Sequence, residues 1–201
     1  MRMTKDPLSI EVLTLPKNAN RWNLVVEFLQ LRRDVFIKKK QWSLSEGEQL
    51  EYEQYDGIGA AHYVVAHRGV EVVGGARLIR CDTIIGNSRF PYSYMINDAF
   101  LGRIDIPEEI CAGPPPTTGD TWELTRMIST ERTPATHAAL LDGAHKFIKS
   151  EGGRFCIFLG PPAFVRMGRR LGYNLERLGV VSGDETGRFL VMKFDLQDYQ
   201  K

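Results

Sequence analysis

The stretch "TWELTRMIST" (121–130) reads as a strand, since aromatic, apolar and β-branched residues dominate it. It runs into "TPATHAALLDGAHKFIKSEG" (133–152), the clearest helix in the chain, with Pro134 in its first turn and a Gly pair past its end. "RFCIFLG" (154–160) follows as a buried strand, and "PPAFVRMGRRLG" (161–172) as a helix opened by prolines and closed by Gly172. This alternation of strand and helix sets the class as α/β (α+β).

The N-terminal side agrees. "LSIEVLTL" (8–15) alternates like a strand, and "NRWNLVVEFLQLRRDVFIKK" (20–39) carries apolar residues near helical spacing, as one helix or a pair. "QWSLSEGEQLEYEQYD" (41–56) is acidic and without period, a loop. "AHYVVAHRG" and "VEVVGGARLIR" (61–80) form a hairpin turning near Arg68-Gly69. The Gly/Pro-punctuated region 81–120, with a short helix at "YMINDAFL", reads as an excursion or lid. "VVSGDETGRFLVMKFDL" ends the chain as a hairpin. Without repeats or a linker, the order predicts one domain over 1–201, a mixed twisted sheet with helices on both faces.

The totals exclude several classes. With 201 residues, 43% apolar, 25% charged and a net charge of +1, the chain has the composition of a soluble globular protein, and bulk charge gives no reason to expect nucleic acid. No apolar run is long enough for a bilayer, and "MRMTKDPLSI" lacks the apolar core of a secretory signal. Stable membrane insertion is not expected. Cys81, Cys111 and Cys156 are odd in number and widely spaced, which fits a reducing compartment, the cytoplasm. His62, His67, His137 and His145 have no zinc spacing, so no metal is expected. Phosphate loops and a GxSxG elbow are absent, and Ser43, Ser45, Ser88 and Ser93 have no histidine pattern beside them.

Charge inside strand-like sequence is the informative signal. In 121–127 a regular strand would place Glu123 and Thr125 on one face and Arg126 on the other. Burying Glu123 or Arg126 without a partner would cost roughly 3–5 kcal/mol. Each therefore needs an opposite charge from another segment or from a ligand, and Arg32, Arg77, Glu53 and Asp56 are available. That argues for a polar cavity built from distant parts, against a plain ladder of salt bridges. Arg32 and Phe36 share a helix face, and Trp42 follows them; each aromatic alone reads as core. The acids Glu51, Glu53 and Asp56 in "EYEQYD" are a solvated cluster unless a cation is to be held beside aromatics. Gly74-Gly75 marks a bulge or close approach in the strand that carries Arg77. Arg166, Arg169 and Arg170, with Lys38–Lys40 and with Lys146 and Lys149, form basic clusters.

These pieces, in this order, resemble the acyl-homoserine-lactone synthases of bacterial quorum sensing. The residues that carry the likeness are "LRRDVF" with Trp42, "EYEQYD", "GARL" with Arg77, "MINDAF" with Phe100, and "WELTRM". Glu53 stands where the family usually has Asp, Thr125 and Met127 replace Ser and Phe, and the segment from Arg77 to Phe100 is longer than usual. The resemblance implies a GNAT-like three-layer αβα sandwich with a central mixed twisted sheet. It implies two substrates, S-adenosylmethionine and an acyl thioester of acyl carrier protein (less often of coenzyme A), with no further cofactor. Glu123 and Arg126 would be the catalytic pair. Arg32, Phe36, Trp42, Glu53, Asp56, Arg77, Phe100 and Thr125 would bind substrate. Chemically, aromatic walls suit the adenine or sulfonium, an arginine fork from Arg32 or Arg126 suits the carboxylate, and Glu53 and Asp56 suit the ammonium or hold those arginines. Glu123 would position the amine or a water that takes its proton. A backbone N–H of 121–130 would polarise the thioester carbonyl. In this reading Glu123 and Arg126 lie on opposite strand faces because they serve two walls of one site. The bulky "FLGPPAF" (158–164) would wall the acyl pocket and favour a short or branched chain. Two alternatives remain: an N-acyltransferase using acyl-coenzyme A, disfavoured because "STERTPATHAAL" lacks the glycines of a pyrophosphate turn, and a non-catalytic sensor of S-adenosylmethionine or an acyl chain.

Overall fold

The computed structural model describes residues 6–42, 44, 49–131, 133–184 and 187–197. Ser43, Ser45, the N-terminal five residues and part of the 41–56 loop lie outside the described residues. The strands are β1 (Leu8–Thr14), β2 (His62–Arg68), β3 (Glu71–Arg80), β4 (Ile85–Asn87), β5 (Phe90–Tyr92), β6 (Thr121–Ser129), β7 (Phe155–Gly160), β8 (Leu175–Arg177), β9 (Ser182–Asp184) and β10 (Gly187–Asp195). The helices are α1 (Trp22–Arg32), α2 (Met95–Phe100), α3 (Pro134–Ser150) and α4 (Ala163–Arg170). Strand β8 was not expected from the sequence, being three residues long between turns.

The main sheet runs β1-β2-β3-β6-β7-β10-β8, with β9 paired to β10; β4 and β5 form a separate hairpin. All neighbours are antiparallel except β6 and β7, which are parallel and joined by α3. Period-2 alternation divides the residues between two faces. Trp122 and Leu124 of β6 pack with Leu140, Leu141, Ala144 and Ile148 of α3 and Val165 of α4. On the other face Tyr63, Val65 and Ile128 pack with Phe28 and Leu29 of α1. Ile79 and Ile157 on that face pack with Met95, Ile96 and Ala99 of α2. The result is the expected three-layer αβα sandwich around a mixed sheet.

Gly75 explains how closely α1 approaches. A Cβ there would stand 2.6 Å from the Phe28 ring and 2.9 Å from the Val64 carbonyl, so only glycine lets the helix lie against β3 at this point. The 81–120 excursion is no loose lid. Tyr94, Met95, Ile96, Ala99, Ile110 and Cys111 are buried in a second core, so apolar burial pins the segment despite its Gly/Pro punctuation. No helix among the described residues is long and apolar enough to cross a membrane.

Candidate active site

The β6–β7 ladder stops after Leu124↔Phe158, although β6 continues to Ser129 and β7 to Gly160. A cleft lies where the strands part. One side is Thr125, Arg126 and Met127, the other Phe158, Leu159, Gly160 and Pro161. Phe36, Lys40, Trp42, Met95, Phe164 and Phe189 complete its lining.

At that point the strand departs from the regular reading. The β3–β6 register shifts between Gly75 and Arg77, and Arg126 has φ 56°. The left-handed residue is a bulge, which adds one residue and reverses the alternation beyond it. Arg126 therefore turns to the face that holds Glu123 and Thr125. Its guanidinium lies 5.5 Å from the Phe36 ring centroid, and Met127 moves to the α3 face. The expectation that Glu123 and Arg126 lie on opposite faces is overturned, because side-chain period 2 holds only for a regular strand.

Arg126 joins a closed ring of six alternating charges. Its Nε donates to Glu51 at 3.2 Å and its Nη2 to Glu53 at 2.9 Å. Glu53 accepts from Arg77 at 2.8 Å, and Arg77 stands 3.3 Å from Asp56. Asp56 takes the fork of Arg32 at 2.7 and 2.9 Å, and the Arg32 Nε returns to Glu51. Tyr63 donates to Asp56 at 3.2 Å, and Arg77 donates to Thr125 at 3.2 Å. Three cations and three anions balance, which is how such charges persist in the interior. Burial alone would raise the Asp56 and Glu53 pKa, but Arg77 with Arg32, and Arg77 with Arg126, outweigh it and hold both carboxyls below the usual range.

The ring corrects the expected roles in part. Arg32 and Arg77 are fully buried, and Arg77 is no surface strand arginine. The Arg32 fork closes on Asp56 and is not offered to the cleft. Glu51, seen in the sequence only as one of an acidic cluster, joins Arg32 to Arg126 and is equally buried. Its signal was an acid two residues from Glu53, which composition alone cannot tell from a solvated run.

Among the described residues Glu123 has no ion pair. It accepts the N–H groups of Met95 and Ile96 at 3.3 and 2.7 Å, at the start of α2. Burial pushes its pKa up to about 7, offset in part by Arg77 and those two amides. It lies behind the cleft wall and not in its lining. Phe100 packs in the second core, also away from the lining.

Phe36 and Trp42 do meet. Their rings stack at 4.9 Å and 11°, with Phe189 edge-on to Trp42 at 5.3 Å. After α1 the chain winds as a π-helix over Arg33–Lys39, a form that recurs at functional sites. Beyond it the chain turns at Gln41, with φ 55°, and the Trp42 N–H donates back to the Phe36 carbonyl at 3.0 Å. Gln41 and Arg126 are the positive-φ non-glycine residues among those described, and both sit at this cleft, where strain of this kind concentrates. Among the described residues no group of three or more His, Cys, Asp and Glu is placed to hold a metal. The three cysteines are buried, and burial pushes their pKa up, which argues against a thiolate nucleophile.

No family model matches the chain. It is similar to the acyl-homoserine-lactone synthase of Aeromonas hydrophila, 27% identical over 171 residues that cover 81% of this chain and 75% of the relative. Its fold is similar to that of TofI, solved with an inhibitor and MTA, at a TM-score of 0.73 and 23% identity over 94% of this chain and 91% of that one. It is also similar to BjaI, a coenzyme A-dependent acyl-homoserine lactone synthase solved with SAM and isopentyl-CoA, at a TM-score of 0.78 and 18% identity over 94% and 84% of the two chains. The motif resemblance and these relatives name the same family.

Proposed function

We infer that this chain is an acyl-homoserine-lactone synthase, an acyltransferase that makes a quorum-sensing signal from S-adenosylmethionine and an acyl thioester. The α-amine of S-adenosylmethionine attacks the thioester carbonyl. An amide C–N bond forms, the C–S bond breaks, and the amine proton leaves with the thiol released. The methionyl carboxylate then attacks its own γ-carbon. That C–O bond closes the lactone, and the γ-carbon–sulfonium bond breaks to release neutral methylthioadenosine.

The observation that carries this reading is the cleft between β6 and β7, which combines an aromatic stack, a fixed arginine and strand backbone outside the β6–β7 ladder. Phe36 and Trp42 suit the adenine or the sulfonium. Backbone N–H groups of β6 beyond Leu124 suit the thioester oxygen as charge develops on it. Glu53, Asp56, Arg32 and Arg77 hold Arg126 in place through the ring and do not themselves touch substrate, whereas Thr125, which accepts from Arg77, faces the cleft. Glu123 acts from behind the wall: it anchors α2, and with a pKa near 7 it suits taking the amine proton through a water. Phe158 and Phe164 bound the acyl end. The protein works as a single domain in the cytoplasm, where both substrates are made, and uses no cofactor beyond them.

For the donor we favour acyl carrier protein. Arg166, Arg169 and Arg170 are exposed on α4, the helix whose Phe164 lines the cleft, so an acidic partner docking there would face the thioester entrance. Purified protein given S-adenosylmethionine and acyl thioesters should release lactone and methylthioadenosine in equal amounts. Acyl amide without methylthioadenosine would make it an N-acyltransferase, and binding without turnover a sensor. Saturation by micromolar acyl-coenzyme A, with no saturation by the matching carrier protein, would reverse the donor assignment.

A further inference from the structure

The cleft lining contains two charged side chains, Lys40 and Arg126. Arg126 is held by two carboxylates, and its third nitrogen faces the Met95 sulfur at 3.8 Å. Lys40 differs. Among the described residues it pairs with no carboxylate, whereas Lys38 on the same segment pairs with Asp34 at 2.6 Å. The Lys40 ammonium rests on aromatic faces instead, 4.5 Å from the Trp42 centroid and 5.3 Å from that of Phe36. The left-handed turn at Gln41 sets this position, because it folds Trp42 back beneath the lysine. Burial and the neighbouring Lys39 lower the Lys40 pKa, and an anion would relieve both effects.

We propose that Lys40 binds the α-carboxylate of S-adenosylmethionine at the rim of the cleft. The inference rests on the synthase reading. It replaces Arg32 and Arg126 as the carboxylate's partner, since both guanidiniums are already committed to the charge ring. A flexible ammonium suits a carboxylate that must later attack. It holds the group at one point, whereas a bidentate arginine would occupy both oxygens. It also resolves the clash of like charges at Trp42. When the sulfonium takes the indole face, the lysine moves aside to the carboxylate of the same molecule.

Equilibrium binding to the full chain, without acyl donor, tests this with S-adenosylmethionine and its decarboxylated analogue. The unaltered protein should favour S-adenosylmethionine by about tenfold, the range of one charge-assisted hydrogen bond. Lys40→Met should abolish that preference by weakening S-adenosylmethionine alone, and Lys40→Arg should restore most of it. Because Lys40 is exposed, retained binding of the decarboxylated analogue certifies the fold of each variant. A preference unchanged in Lys40→Met overturns the proposal. So does equal weakening of both ligands. If the unaltered protein binds neither ligand, the synthase reading itself falls.

Discussion

Arg32 and Arg126 are joined by one carboxylate: Glu51 takes the Nε of each, one on either oxygen. Arg32 is fully buried and Arg126 lines the cleft, so Glu51 is the bridge between the interior of the fold and the wall of the site. The ring thereby holds a fixed cation at that wall while remaining without net charge itself.

Glu51→Ala should therefore act on stability and activity together. It leaves two buried guanidiniums each short of a partner, at a cost of about 3 kcal/mol. A drop of that size in urea-unfolding free energy, with lactone output falling at least about tenfold, is expected. An unchanged unfolding curve would show that the ring carries no energetic weight.

Arg126→Ala separates the two effects. Glu51 keeps Arg32 and Glu53 keeps Arg77, so each acid retains a partner. The variant should stay folded, at a cost of about 1–3 kcal/mol, while lactone formation falls at least about a hundredfold. Arg126→Lys should recover little, since an ammonium cannot reach Glu51, Glu53 and the Phe36 face at once. Near-normal turnover in either variant would remove Arg126 from the site.

Glu123 makes stability depend on pH. Its pKa rises from an ordinary 4.5 to about 7 on folding, so the folded state holds this proton more tightly than the unfolded one. Its contribution is full below pH 4.5 and is lost as pH rises through about 7. Relative to Glu123→Gln, which cannot titrate, the unaltered protein should lose on the order of 3 kcal/mol across that window. Parallel stability profiles for the two proteins would refute the shift.

In the proposed reaction Phe164 bounds the acyl end. Its ring meets Phe158 edge-on at 5.1 Å at the cleft wall. Phe164→Ala removes that bulk, and kcat/KM for donors longer by several methylenes should rise by about tenfold relative to short ones, at 1–3 kcal/mol per added contact. An unaltered chain-length profile would place the acyl group elsewhere.

Much was legible in the residues alone. Apolar periodicity set β6, α3 and β7 and so the class, and "LRRDVF" with Trp42 suggested two aromatic walls, which the structure brings together as a direct stack at 4.9 Å. Gly74-Gly75 announced the close approach that Phe28 makes. The need of Arg126 for a distant partner was also readable, because a charge in apolar sequence cannot be left unpaired. Which partner it takes was not. Opposite charges attract without regard to sequence distance, so Glu51, Glu53 and Asp56 were interchangeable until the fold fixed their positions. Only the tertiary structure decided that the chain bulges at Arg126, since a single left-handed residue reverses every side chain after it and leaves no mark in the hydrophobic pattern. It alone also decided that Glu123 meets two amides of α2 and no arginine, because backbone donors carry no residue identity for a sequence to display.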